Sequence, residues 1–392
     1  GDLVKRLEKE QAENLRALSV QRGLRAKLLI PENREAEALR LAVLAVANSG
    51  PDEISAPPLE ATDGLAHVLA DDAAIVTRPR VLRGHSDSVS AITYSPDGAH
   101  IATGSADATA KVWDANTGAL VVSLQGHEGA IYAIAYAKDG TRLATASEDT
   151  TAKLWNAATG ELVATLRGHQ ARVSSLVYSP DGQRIATASG DTTAKVWDAH
   201  SGALMATLRG HNESIEALAY SPDGARIATA SDDTTAKVWD ATTGKVITTM
   251  RGHSLDVVDL AYLSDGARLV TASWDQSAKI WDAASGELLA TLQGHDTEIT
   301  ALATSRDGTR EATTSGDKTT RVWDANTGEL IAILRGHEDN IEDVDFSPDG
   351  SRIATAGWDY TARLWDANTG KLLATFINHD DFVTKLVFSP DG

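Results

Sequence analysis

The chain has 392 residues, a net charge of −19 and no cysteine. Disulfides and thiolate chemistry are therefore excluded, and a reducing, cytoplasmic setting is expected. So acidic a surface repels phosphate backbones and anionic lipid heads, which excludes nucleic acid and membrane surfaces and leaves protein or peptide partners of basic or neutral surface.

The first residues show no charged run followed by an apolar stretch, so no signal peptide is read there. Residues 3–28 are rich in Leu, Ala, Glu, Arg and Lys, a composition that favours helix. Pro31 suits a first helical position, and a second helix is expected over 32–47 with Leu39, Val43 and Val46 on one face, stopped by Gly50-Pro51. A short third helix is expected over 59–69, giving a small α-helical N-terminal segment, 1–75. The longest apolar stretch, Leu41–Ala47, is far below the roughly 20 residues that span a bilayer.

From residue 76 to 392 the chain is periodic. Gly-His recurs every 42 residues, with repeats starting at 84, 126, 168, 210, 252, 294 and 336 and a partial one at 378. Trp-Asp follows in each full repeat, the second having Trp155-Asn156. Within the first, Val89–Tyr94, Ile101–Ser105, Ala110–Trp113 and Leu120–Leu124 read as strands separated by Ser95-Pro96-Asp97-Gly98, Asp107 and Asn116-Thr117-Gly118. A four-stranded sheet alone exposes two apolar faces, and stacking such sheets around an axis buries them. Small residues such as Ala102, Ala144, Ala186 and Ala228 suit the crowded part of a tapering blade, while Trp and Leu fill the wider space between blades.

With these units the chain resembles the WD40 family. The resemblance implies an all-β, seven-bladed propeller of four-stranded antiparallel blades, with eight blades as the alternative. Each full repeat also holds an Asp after its second strand and a Thr four residues before it, with Ser between them in all but the seventh, which has Gly357. His, Asp and Ser suggest nucleophilic catalysis, but an enzyme needs one site and this set occurs seven times. Buried His, Asp and indole N–H groups must find partners. The resemblance implies a structural network in each blade, read here as His85, Thr103, Asp107 and Trp113, His169, Thr187, Asp191 and Trp197, and His253, Thr271, Asp275 and Trp281; whether Thr or Ser supplies the hydroxyl stays open. HExxH, GxxxxGK[ST] and GxSxG motifs are absent, so no metal, cofactor or enzyme activity is expected.

The repeats diverge in few columns: the residues just after Gly-His and those flanking the turn Asp. In WD40-like rings both loops open on the face called the top, and divergent loops on a constant frame read as a binding surface. Trp274 and Trp358 precede a turn Asp and are the only tryptophans outside the Trp-Asp position. With Gln276, Tyr360, Leu255, Asp256, Val258, Glu216, Asp232, Glu342, Arg172 and Lys318 they form the expected protein-binding face, acidic and aromatic, its tryptophan-bearing patch spanning the fifth to seventh units. The sixth unit departs from the others with Thr304, Arg306 and Glu311, the last in a column otherwise Ile or Leu, and a looser blade is expected there.

A strand near Val76–Leu82 resembles a fourth strand, and Val383–Phe388 reads as the first strand of an eighth unit. That mid-unit stop predicts a longer protein, with further repeats. Ala36–Leu44 and the linker to Arg80–His85 resemble the junction between ATPase core and WD40 sensor in prokaryotic STAND-type signalling proteins. This implies a binding or sensor platform beside an NTPase domain, the alternative being a structural scaffold for self-assembly.

Overall fold

The computed structural model describes residues 75–77, 81–377, 379 and 381–392, without the side chains of 75–77. The helices expected in 1–75 lie outside these residues, and no helix occurs among those described.

After β1 (Ile75–Thr77), the first repeat folds as β2 (Val89–Tyr94), β3 (His100–Ser105), β4 (Thr109–Asp114) and β5 (Leu120–Gln125). These bounds match the expected strands to within a residue or so. The β2–β3 turn forms because Gly98 adopts φ +70° and donates its N–H to Ser95 O at 2.9 Å, while Ser95 Oγ donates to Asp97 Oδ1 at 2.6 Å. Asp114 likewise receives the N–H of Thr117 at 2.7 Å in the β4–β5 turn. The other six repeats build the same meander, so the molecule is a seven-bladed β-propeller of four-stranded antiparallel blades.

First strands of neighbouring blades pack directly on one another, which puts them nearest the axis and the fourth strands on the rim. At each step the apolar core is shared. Trp155 and Leu143 of the second blade pack with Ala102, Ala110, Val112 and Leu124 of the first. The small residues are therefore seats for the neighbour's large ones, and each such Leu or Trp contributes ~2–3 kcal/mol by leaving water. Gly84 is required by the Trp of its own blade, because a Cβ there would lie 3.0 Å from Trp113 Cη2.

Closure differs from expectation in two places. β1, described over Ile75–Thr77, adds as a fifth strand parallel to Leu372–Phe376 of the seventh blade, with Ile75 opposite Ala374. Leu82 does not extend it; it is buried against Tyr94, Ile101 and Trp113 of the first blade. Val383–Phe388 is not a strand. No strand among the described residues pairs with it; its Leu386 and Phe388 N–H groups donate to the carboxylates of Asp343 and Asp345, at 2.8 and 3.0 Å, and the Val383 N–H to Gly357 O at 3.2 Å. Val383, Leu386 and Phe388 are still buried on the seventh blade beside Leu364 and Phe376. Thr384 Oγ1 donates to Val89 O at 3.1 Å, repeating the Ser174 to Ile215 O bond of 2.6 Å between consecutive blades. The segment thus bridges the seventh blade to the first.

The sixth blade is not looser. Its Arg310–Ser315 strand keeps the register of the others, with Glu311 opposite Thr304 and Trp323. Glu311 is fully buried and accepts a 2.9 Å hydrogen bond from Thr304 Oγ1, so the Thr that replaces the usual Tyr compensates the carboxyl.

Candidate interaction face

The frame of the face is the side-chain network inside each blade. In the first, Trp113 Nε1–H donates to Thr103 Oγ1 at 2.9 Å, Thr103 lies 2.8 Å from His85 Nε2, and His85 Nδ1 lies 2.9 Å from Asp107 Oδ2. One proton arrangement satisfies every group: indole to hydroxyl, hydroxyl to Nε2, and Nδ1–H to carboxylate, with the imidazole neutral. Burial lowers the His85 pKa against the opposing pull of Asp107, which keeps it neutral at pH 7. Burial alone would raise the Asp107 carboxyl, but hydrogen bonds from Thr109, the Ser86 N–H and His85 outweigh it and hold it at about 2. The third and fifth blades repeat the chain through His169, Thr187, Asp191 and Trp197 and through His253, Thr271, Asp275 and Trp281, each indole bond being 2.8 Å.

Thr, not Ser, is therefore the hydroxyl member. Ser105 instead donates to Asp87 O and receives the Asp107 N–H, both at 3.1 Å, which fixes the loop above the network. The hydroxyls of Thr103, Thr187 and Thr271 are fully buried, so the arrangement offers rigidity rather than a reachable nucleophile. Sequence reasoning missed a cation behind each network. Lys111 is buried in β4 with Nζ 3.3 Å from Ser123 Oγ, and the column is Lys in five blades and Arg in the last two.

Because successive strands are antiparallel, the loop into each first strand and the turn holding the Asp lie at one end of the ring. The residue after that Asp has a left-handed backbone in all seven blades, φ +61° to +71°, and this column supplies Gln276, Lys318 and Tyr360. None is glycine, so the carboxylate contacts to the turn override the usual preference for Gly or Asn there.

The expected patch resolves into two groups. In one, Arg172 and Glu216 form a 2.7 Å ion pair between the third and fourth blades. Burial, then the nearby carboxylates of Glu216 and Asp256, push Asp232 up to about 6. On the fifth blade the Trp274 backbone N–H donates to Asp256 O at 3.0 Å, which ties its turn to the loop that carries Leu255, and both Trp274 (48% exposed) and Leu255 are open to solvent. Gln276 is exposed and Val258 half-buried on the same blade.

In the other group Lys318 reaches from the sixth blade to Glu338 O of the seventh at 2.8 Å. Trp358 and Tyr360 both stack on Phe382 of the closing segment, with ring centroids 5.0 and 5.3 Å apart. Glu342, its carboxyl raised by burial, receives a hydrogen bond from Trp358. Phe382 was not foreseen, since only the three-dimensional return of the closing segment brings it over the seventh blade's turn. A cavity of about 350 Å³ lies elsewhere, on the opposite face between the second and third blades beside Lys138, Arg142, Tyr178 and His200. Among the described residues no group of three or more His, Asp or Glu side chains is placed to hold a metal ion.

The family described as "WD domain, G-beta repeat" matches residues 77–114, 118–156, 160–198, 202–240, 244–282, 286–324 and 328–366. Protein Mut11 of Chlamydomonas reinhardtii is 55% identical over 40 residues, which is 10% of this chain and 11% of that protein. Protein Notchless of Drosophila melanogaster is 53% identical over 34 residues, 9% of this chain and 7% of that protein. The matched stretches thus span about a tenth of these relatives, close to one repeat each. The crystal structure of the computationally designed Ika8 protein superposes with a TM-score of 0.71 at 30% identity, covering 78% of this chain and 92% of that one.

Proposed function

Because this chain belongs to the WD domain, G-beta repeat (WD40) family, whose rings are typically protein-interaction platforms, we propose that it binds a protein or peptide on its top face without transforming it. The observation that carries this reading is the pair of aromatic groups held at exposed turns on a rigid frame. Trp274 with Leu255 is one, and the Trp358–Phe382–Tyr360 stack is the other. Aromatics in such places are the usual anchors of interfaces. The carboxylates of Glu216, Asp232, Asp256 and Glu342 around them favour a basic partner. We place the protein in the cytoplasm on its cysteine-free composition, as the sensor part of a larger STAND-type signalling chain on the sequence resemblance of Ala36–Leu44.

The test is capture of ligands from an array of basic and neutral peptides by the ring and by a Trp274→Ala/Trp358→Ala variant. Thermal melting checks that the variant is folded. The expected result is retained folding with affinity reduced about tenfold or more; unchanged capture by the folded variant would remove the proposal. A second reading, a scaffold for self-assembly, is favoured by apolar pairs exposed on the rim, and light scattering of the protein alone separates the two: a monomer supports the first.

A further inference from the structure

The fourth strands carry a feature that the top face does not use. In six blades this outermost strand opens with two adjacent apolar side chains, both in the open: Leu120 and Val121, Leu162 and Val163, Leu204 and Met205, and their counterparts through Leu330 and Ile331. They are 43–54% exposed. In each of these six sheets the fourth strand is also an edge among the described residues, paired there on one side only. An open edge with an apolar flank is a template for another strand, and proteins ordinarily blunt it. Here blunting is partial. Five of the six strands end on Gln or Arg, as at Gln125, Arg209 and Arg251, and the sixth ends on Leu166 just before Arg167, which leaves the apolar half unguarded.

The seventh blade shows what fits. Its fourth strand, Leu372–Phe376, has the same apolar opening in Leu372 and Leu373, yet both are half-buried where their counterparts are exposed. Among the described residues this is the one fourth-strand edge that carries an added strand: Ile75–Thr77 pairs in parallel with its second half, Ile75 opposite Ala374 and Thr77 opposite Phe376, just beyond the Leu372-Leu373 opening. We propose that the rim edges of the other blades accept an extended, β-branched, apolar segment of a partner protein in the same parallel manner. Backbone hydrogen bonds would give affinity and the Leu-Val-type pair would give preference for apolar side chains. The edge's apolar half lies toward the end opposite the top face, so both sites can be filled together.

The experiment uses the full chain and a capped peptide of residues 73–77, Ala-Ala-Ile-Val-Thr, with amide hydrogen exchange read at the fourth strands. The peptide is expected to slow exchange severalfold in Leu204–Arg209 and the equivalent strands. A Leu204→Lys/Met205→Lys variant should lose the effect in that strand and keep it in the others, and a peptide with Val76→Pro should be inert. No slowing, or slowing equal in the variant or with the proline peptide, overturns the proposal. Ring-to-ring association in light scattering that the same two lysines abolish would assign the edge to a second copy of the chain and overturn it as well.

Discussion

At the scale of single residues the molecule depends on a hydroxyl that does two jobs. Thr187 receives the Trp197 indole N–H at 2.8 Å and faces His169 Nε2 at 2.8 Å, with no exposure to water. Replacing it with Val keeps the shape and removes both partners at once. Two buried polar groups are then left unpaired, at about 1–3 kcal/mol each. Thr187→Val is therefore expected to lower unfolding free energy by roughly 2–5 kcal/mol, whereas Ser189→Ala, which frees only a loop carbonyl and one N–H near the surface, should cost less. Urea titrations of the two variants check the order; equal effects would mean that the hydroxyl is not the hub. The sequence put Thr, Ser, His, Asp and Trp in one blade but could not choose between the hydroxyls. Thr187 and Ser189 stand two apart on one strand and are both fully buried, so spacing puts them on one face without saying which hydroxyl reaches the indole and the imidazole.

Strands were legible where period two and turn chemistry agree, which is why β2 to β5 and their copies match the expected bounds. They were illegible where the decisive partner is distant. Val383–Phe388 has the alternation of a first strand but pairs with no strand among the described residues; its carboxylate bonds do not decide this, since Leu302 makes the same bond to Asp259 from within a regular strand. Pattern alone also misjudged the sixth blade, because the cost of Glu311 is met by Thr304 across the strand pair. That compensation is incomplete. One Glu311 oxygen has no partner among the described residues, and burial raises its carboxyl well above the ordinary value. A group raised in the folded state contributes stability at low pH that is lost as pH rises through its folded value. Glu311→Leu should thus stabilise the ring at pH 8 by about 1–3 kcal/mol, with a smaller gain at pH 4. Denaturant midpoints at the two pH values test this; a gain larger at pH 4 would contradict the buried-carboxyl account.

For the whole molecule, the same charges recur in every blade, so small effects add around the ring. Burial lowers the pKa of six network histidines, among them His85, His127 and His211. A lowered base loses stability as pH falls below its unfolded value of about 6.5. Opposing this, Asp232 at about 6, Asp345 at about 7 and the raised Glu311 release their cost over the same range as they take up protons. The two trends offset one another between pH 7 and 5. Below about pH 4 nothing offsets the loss. The raised carboxyls are by then protonated in the folded state and finish protonating in the unfolded state around their ordinary value, which ends their relief, while the network Asp residues, such as Asp107 and Asp149 at about 2, and turn residues such as Asp307 and Asp349, also at about 2, keep their hydrogen bonds only as carboxylates. Because these groups sit in every blade and its turns, their loss is cooperative across the toroid. Thermal melting should shift little from pH 7 to 5 and collapse between pH 4 and 2. A main loss between pH 7 and 5 would show that histidine protonation governs the fold, and would make the His–Asp pairs, rather than the carboxylate turns, the acid-sensitive joint of the ring.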